Sequence, residues 1–201
     1  GTPATASYSD TGLTSATTYT YTVAARDAAN NVSTDSVSAS ATTADTIAPS
    51  TPTGLVATAA GATVVNLTWT ASSDNVAVTG YIVKRNGVQV GTPTAASYSD
   101  TGLTSATTYT YTVAARDAAN NVSTDSVSAS VTTADTIAPS TPAGLLATAA
   151  GATVVNLTWS DSSDNVAVTG YIVKRNGVQV GTPTTASYSD TGLTSATTYT
   201  Y

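Results

Sequence analysis

The stretch Gly102-Leu103-Thr104-Ser105-Ala106-Thr107-Thr108-Tyr109-Thr110-Tyr111-Thr112-Val113-Ala114-Ala115 decides how the chain is read. From Tyr109 onward, Tyr109, Tyr111, Val113 and Ala115 fall on every second position, with Thr110, Thr112 and Ala114 between them. That period of two belongs to a strand with one face buried. Upstream, a Thr/Ser/Ala turn separates Leu103 from Tyr109. A tyrosine opening a strand at this spacing can return its hydroxyl to the backbone of the preceding turn. The same stretch runs from Gly12 to Ala25, and again from Gly192, where the chain reaches Tyr201 inside the strand.

Recurrence extends to the whole chain. Gly1-Thr2-Pro3 returns at Gly91 and at Gly181, so the period is 90 residues. Residues 1–111 and 91–201 differ only at positions 4, 5, 41, 53, 56, 70, 71 and 95, counted in the first copy. Near-identity at this period describes one supersecondary unit repeated as an array. On this register 1–45 is the C-terminal part of a repeat, 46–135 a complete repeat, and 136–201 the N-terminal part of another. The chain is therefore expected to be a window on a longer repetitive protein, with the exchange of strands between chains as the other way to complete the partial repeats.

The complete repeat reads as strands in order. Asp45-Thr46-Ile47-Ala48-Pro49-Ser50-Thr51-Pro52 is a linker stiffened by its prolines. Leu55 and Ala57 alternate on a first strand. Val65, Leu67 and Trp69 alternate on a second, with Asn66 and Thr68 facing outward. The loop Ser72-Ser73-Asp74-Asn75 leads to a third strand at Tyr81 to Arg85. Asn86-Gly87 then predicts a tight hairpin, because both central positions of that turn take positive φ. Val88 to Val90 return, Tyr98 marks a fifth strand, Tyr109 to Arg116 a sixth, and Val127, Ala129 and Val131 a seventh. Seven short strands with turn signals between them predict an all-β sandwich.

Composition excludes several functions. Twelve acidic residues, all Asp, stand against six Lys and Arg, for a net charge of −6. Nucleic acid and anionic membrane surfaces both call for basic clusters, and none is present. No apolar run approaches the roughly 20 residues of a membrane helix. With no Cys or His, thiolate and imidazole metal sites are absent, and so is the usual catalytic base. A Ser-His-Asp arrangement cannot be built. Paired Asp residues for glycoside hydrolysis would need a concave site, which a small sandwich without long loops does not supply. The chain is read as non-enzymatic. Trp69, Tyr81, Tyr98, Tyr109 and Tyr111 all fall on inward phases, so they are read as core and not as a sugar-stacking platform. Asp74, Asp100, Asp117 and Asp125 are read as turn and loop residues bonded to nearby amides. Asn66-Leu67-Thr68 and Asn121-Val122-Ser123 match the glycosylation triplet, a chance match in so Ser/Thr-rich a chain.

The repeat resembles the fibronectin type III domain. The features that match are the proline-bearing lead-in, Trp69 on the second strand, Tyr81 after Gly80 on the third, and Leu103 with Tyr109 at a tyrosine corner. Asp74-Asn75-Val76-Ala77-Val78-Thr79-Gly80-Tyr81 and Arg85-Asn86-Gly87 are similar to the bacterial subgroup, found between modules of secreted polysaccharide-degrading enzymes and in surface fibres. The resemblance implies tandem seven-stranded Greek-key β-sandwiches joined head-to-tail, with Trp69, Tyr81, Leu103 and Tyr109 as structural residues. The Arg-Gly-Asp triplet of some animal members is absent.

In that fold the linker, the Asp74 loop and the loop Asp117-Ala118-Ala119-Asn120-Asn121 lie at one pole. Asp45, Asp74, Asp117 and Asn121 are thus calcium candidates, since calcium takes six to eight oxygens. No other cofactor is expected. The expected function is a non-catalytic spacer of an extracellular filament, stalk or sheath, with linker modules of a secreted carbohydrate-active enzyme as the alternative. Expected partners are further copies of the repeat, with polysaccharide or cell-surface association and neither nucleic acid nor membrane insertion.

Overall fold

Strands alone carry the regular structure of residues 5–201, the residues that this computed structural model describes. Gly1-Thr2-Pro3, the first copy of the repeat marker, lies outside them. The chain forms two compact units. One runs to Leu103 and includes Thr108–Thr133; the other comprises Thr104–Thr107 and Ala134–Tyr201.

In the first unit, β1 (Thr18–Tyr21) and β2 (Ala39–Thr42) form an antiparallel pair. Next come β3 (Thr53–Ala59), β4 (Val64–Thr70), β5 (Val78–Arg85), β6 (Val88–Gly91), β7 (Ser97–Thr101), β8 (Thr108–Asp117) and β9 (Ala129–Thr132). They make a three-stranded sheet in the order β3-β4-β7 and a four-stranded sheet in the order β6-β5-β8-β9. All pairings are antiparallel. This is the expected seven-stranded sandwich. Its core lies where the two sheets face: Val65, Leu67 and Trp69 from β4 meet Tyr81, Val83, Tyr111, Val113 and Ala115, with Leu103 closing one end. Trp69 and Tyr81 meet edge-on, with ring centroids 5.1 Å apart, a geometry that aromatic quadrupoles favour.

Local chemistry sets the connections. Asn86 and Gly87 take φ of 50° and 81°, as the tight β5–β6 hairpin requires. At Gly91 the requirement is space, because a Cβ there would overlap the Tyr98 ring. That ring is pinned by its hydroxyl, which donates to the Val90 carbonyl at 2.7 Å. The corner expected at Tyr109 is seen in its sequence copies, where the backbone N–H groups of Thr14 and Thr194 donate to the hydroxyls of Tyr19 and Tyr199 at 2.9 Å. Tyr109 itself packs half-buried against the core, with the Arg85 guanidinium 5.5 Å from its ring centre.

Two expectations are corrected. The seventh strand starts at Ala129 and leaves Val127 outside it, 88% exposed. The segment before it bonds β8 partly through serine hydroxyls. Ala115 N–H donates to Ser123 Oγ at 2.9 Å and Val113 N–H to Ser126 Oγ at 3.1 Å. Ser123 and Ser126 N–H groups return bonds to the Ala115 and Val113 carbonyls. The hydroxyls satisfy β8's donors, so the segment needs no continuous ladder and Val127 is released to solvent. Secondly, Asp100 is no turn residue. It lies on β7, 4% exposed, held by Arg85 Nη1 at 2.9 Å and by the Tyr111 hydroxyl at 2.9 Å. Asp125, for its part, pairs with Lys84 at 2.8 Å.

Burial, followed by the Asp100 carboxylate, pushes the Tyr111 hydroxyl well above the ordinary tyrosine value. Between that ordinary value near pH 10 and the folded value, the folded state holds one proton that the unfolded chain has lost. Stability must therefore fall as pH rises past about 10, by at most about 1.4 kcal/mol per pH unit from this group. Denaturant midpoints from pH 8 to 12 should show a steeper decline for the parent than for Tyr111→Phe. Parallel profiles would mean that Tyr111 ionises as readily folded as unfolded.

The second unit repeats the first as far as Tyr201. β10 (Ala143–Ala149), β11 (Val154–Ser160) and β14 (Ser187–Thr191) form a three-stranded sheet, and β12 (Val173–Arg175) pairs with β13 (Val178–Gly181). Trp159 and Tyr171 meet edge-on at 5.2 Å.

Candidate functional site

Three loops of the first unit bring carboxylates together. Asp45 comes from the linker before β3, Asp74 from the loop between β4 and β5, and Asp117 from the end of β8. One oxygen from each lies within 4.8 Å of the other two. The linker is held close to the Asp74 loop, because Ser50 N–H donates to the Ser73 carbonyl and Ser73 N–H to Ser50 Oγ, both at 2.8 Å.

Each acid has its own support. Asp74 Oδ2 accepts from the N–H groups of Val76 and Ala77 at 3.0 and 3.1 Å. Its Oδ1 is shut off from solvent and has no hydrogen-bond partner. Asp117 is 2% exposed and accepts from Asn121 N–H at 2.8 Å and from Asn121 Nδ2 at 2.7 Å. Asp45 Oδ1 accepts from Asn75 Nδ2, Ile47 N–H and Ser15 Oγ, each at 3.1 Å. The Asn75 bond above all, then that of Ile47, holds the Asp45 carboxyl below its ordinary value. Ser15 Oγ, which donates to Asp45, also accepts from Thr46 N–H at 3.0 Å, so the linker holds the turn that precedes β1.

Of the residues singled out in the sequence, the structure places Asp45, Asp74 and Asp117 side by side. Asn121 stands beside them in another role: its amide nitrogen, not its oxygen, faces Asp117 and the carbonyls of Asp45 and Ile47. It orients the acid and joins the linker to the β8 end. Sequence reading missed the Arg85-Asp100-Tyr111 group, although a signal was present. Asp100 lies two positions after Tyr98, on the same inward phase of the strand.

The five aromatic residues read as inward-facing lie in or against the core of the first unit. Trp69, Tyr81 and Tyr111 are buried, and Tyr98 and Tyr109 pack against them. In the second unit an open apolar cleft of about 290 Å³ is lined by Leu157, Trp159, Tyr171 and Val173 among others. Their counterparts Leu67, Trp69, Tyr81 and Val83 are core residues covered by β8 in the first unit. The cleft is the same core face without that cover.

Comparison with known proteins follows the fold. The family model described as "Fibronectin type III domain" matches residues 50–132. Exoglucanase B of Cellulomonas fimi is 48% identical over 100% of this chain and 20% of that protein. Exoglucanase A of the same organism is 49% identical over 65% of this chain and 16% of its own length. Chitinase A1 of Niallia circulans is 41% identical over 78% of this chain and 23% of its own length. The chain thus spans about a fifth of the length of these curated relatives. An Fn3-like protein from Clostridium thermocellum of known structure is 33% identical over 42% of this chain and 92% of that one, with a TM-score of 0.37.

Proposed function

Because this chain belongs to the fibronectin type III family, we propose that it works as a non-catalytic spacer inside an extracellular polysaccharide-degrading enzyme. The observation that carries this reading is the likeness to exoglucanase B, which covers the whole of this chain and only a fifth of the enzyme. A segment so related is an accessory to chemistry performed elsewhere in the polypeptide. The repeats themselves are non-catalytic modules and act outside the cell or at its surface.

The mechanism is geometric. Each unit buries its own core, and the linker is tied to the Asp74 loop by Ser50 and Ser73. Reach is then set by copy number and bending by the linkers. We take 46–135 as one functional repeat. The filament reading keeps one observation in its favour, the near-identity of the copies over 90 residues, but the relatives support the enzyme-linked reading better.

Sequencing the coding region on either side separates the two. A polysaccharide-degrading module in the same polypeptide is the expected result, and dozens of further repeats with no such module would replace it with the filament. In the enzyme itself, exchanging 46–135 for a flexible Gly/Ser linker should lower hydrolysis of insoluble polysaccharide several-fold. The rate on a soluble oligosaccharide should not change. Equal rates on both substrates would remove spacing from its role.

A further inference from the structure

We propose that Asp45 is a latch between successive repeats: its carboxylate ties the preceding repeat, the linker and the following repeat to one point and thereby fixes the angle at the junction. Two observations carry this. First, the Asp45 carboxylate reaches both ways. Its Oδ1 accepts from Ser15 Oγ, 30 residues earlier in the turn before β1, and from Asn75 Nδ2, 30 residues later in the β4–β5 loop, each at 3.1 Å. Ile47 N–H, in the linker itself, donates to the same oxygen at 3.1 Å. Secondly, the arrangement recurs at the next linker. Asp135 Oδ1 accepts from Ser105 Oγ at 3.4 Å, from Asn165 Nδ2 at 3.2 Å and from Ile137 N–H at 3.1 Å.

The backbone on either side explains why this position matters. Up to Ala44 the chain is tied to the preceding repeat, with Ala16 N–H donating to the Ala44 carbonyl at 3.2 Å. From Ser50 onward it is tied to the following repeat, through the Ser73 carbonyl at 2.8 Å. Between those points side chains hold it. Asn121 Nδ2 donates to the carbonyls of Asp45 and Ile47 at 3.3 and 3.4 Å, and the hydroxyls of Thr51 and Thr124 share a bond. Those contacts fasten the linker to the repeat it precedes, and the Asp45 carboxylate joins it to the repeat before. Pro49 and Pro52 fix two further φ angles, so with Asp45 seated few backbone angles are left to bend.

The chemistry suits the task. A carboxylate only accepts and has several lone pairs, so one group can serve donors from three segments. Asn75 and then Ile47 hold the Asp45 carboxyl below its ordinary value, and Ile137 and then Asn165 do the same for Asp135. At Asp45 this prevails over the like charges of Asp74 and Asp117, each with an oxygen within 4.8 Å. Bonds to an ionised acceptor are the stronger kind. The use of such a latch rests on the spacer reading, since a junction held at one angle turns copy number into reach.

Distances between spin labels on the 201-residue chain test the latch. The chain has no Cys, so Val37→Cys in the preceding repeat and Val88→Cys on β6, 93% and 68% exposed, admit one label each. Pulsed electron paramagnetic resonance should give a narrow distance distribution for this labelled parent. Asp45→Ala should broaden it at least two-fold, and Asp125→Ala, away from the junction, should keep the parent's width. Ser15→Ala and Asn75→Ala, each cutting one side, should also broaden it. The double variant should be no broader than the wider single one, because either cut already frees the junction. Amide exchange in β1 and β4 should match the parent, which places the change at the junction. Equal widths for the parent and Asp45→Ala would overturn the latch, as would a parent as broad as a chain with 46–52 replaced by Gly/Ser. So would broadening that adds up in the double variant, or that appears only with loss of protection in β1. None of these results depends on whether a catalytic module shares the polypeptide, so the latch and the spacer reading can fail separately.

Discussion

Trp69→Ala is expected to lower the stability of the first unit by about 3–5 kcal/mol, the cost of emptying a large aromatic site in a packed core. Trp69 is 7% exposed and lies edge-on to Tyr81, in a chain that contains no Phe. Urea unfolding of the 201-residue chain followed by circular dichroism should show the first unit melting earlier. Fluorescence of Trp159, the other tryptophan, monitors the second unit and should keep its transition. Trp69→Phe should cost clearly less, because the Trp69 Nε1 group has no partner to lose. A Trp69→Ala chain that unfolds like its parent would place this residue outside the core and undo the strand phasing.

Arg85→Met is expected to cost about 3 kcal/mol. It strands Asp100, a buried carboxylate, which among the described residues keeps the Tyr111 hydroxyl as its side-chain partner. Removing one member of a buried pair costs more than the pair contributes, because the remaining charge stays desolvated. The value sits at the low end of that range because the Arg85 side chain keeps 31% of its surface in water. Lys84→Met is the control. Its pair with Asp125 is open on both sides, with side chains 33% and 38% exposed, and such pairs contribute about 1 kcal/mol or less. The double variant Arg85→Met/Asp100→Asn should recover part of the loss, since the stranded charge is gone. Equal costs for Arg85→Met and Lys84→Met, or no recovery in the double variant, would show that burial of Asp100 carries no weight. The second unit repeats the arrangement, with Arg175 on Asp190 at 3.0 Å and Tyr201 on Asp190 at 2.9 Å.

Much of the fold was legible because its signals are local. Alternation over Val65, Leu67 and Trp69 follows from the pleat of one strand, and positive φ at Asn86 and Gly87 from the sterics of one turn. The tyrosine corner joins residues five apart in both Tyr19 and Tyr199. The 90-residue period needs no structure at all. The convergence of the acids was legible at one remove, through the fold that the Trp and Tyr positions implied.

What lay beyond the sequence depends on partners distant in the chain. Only the packed sandwich puts Arg85, Asp100 and Tyr111 in one buried group, because they sit on β5, β7 and β8 of two different sheets. Ser123 and Ser126 look like ordinary loop residues until β8 lies beside them and takes their hydroxyls as acceptors. The same holds at the acidic cluster. Composition gave Asn121 a carbonyl and an amide alike, and the positions of Asp117 and the linker decided that the amide faces inward. Period and turn chemistry belong to neighbouring residues and were settled by the sequence. The pairing of polar groups belongs to the register between strands, which exists only once the two sheets have closed on their core.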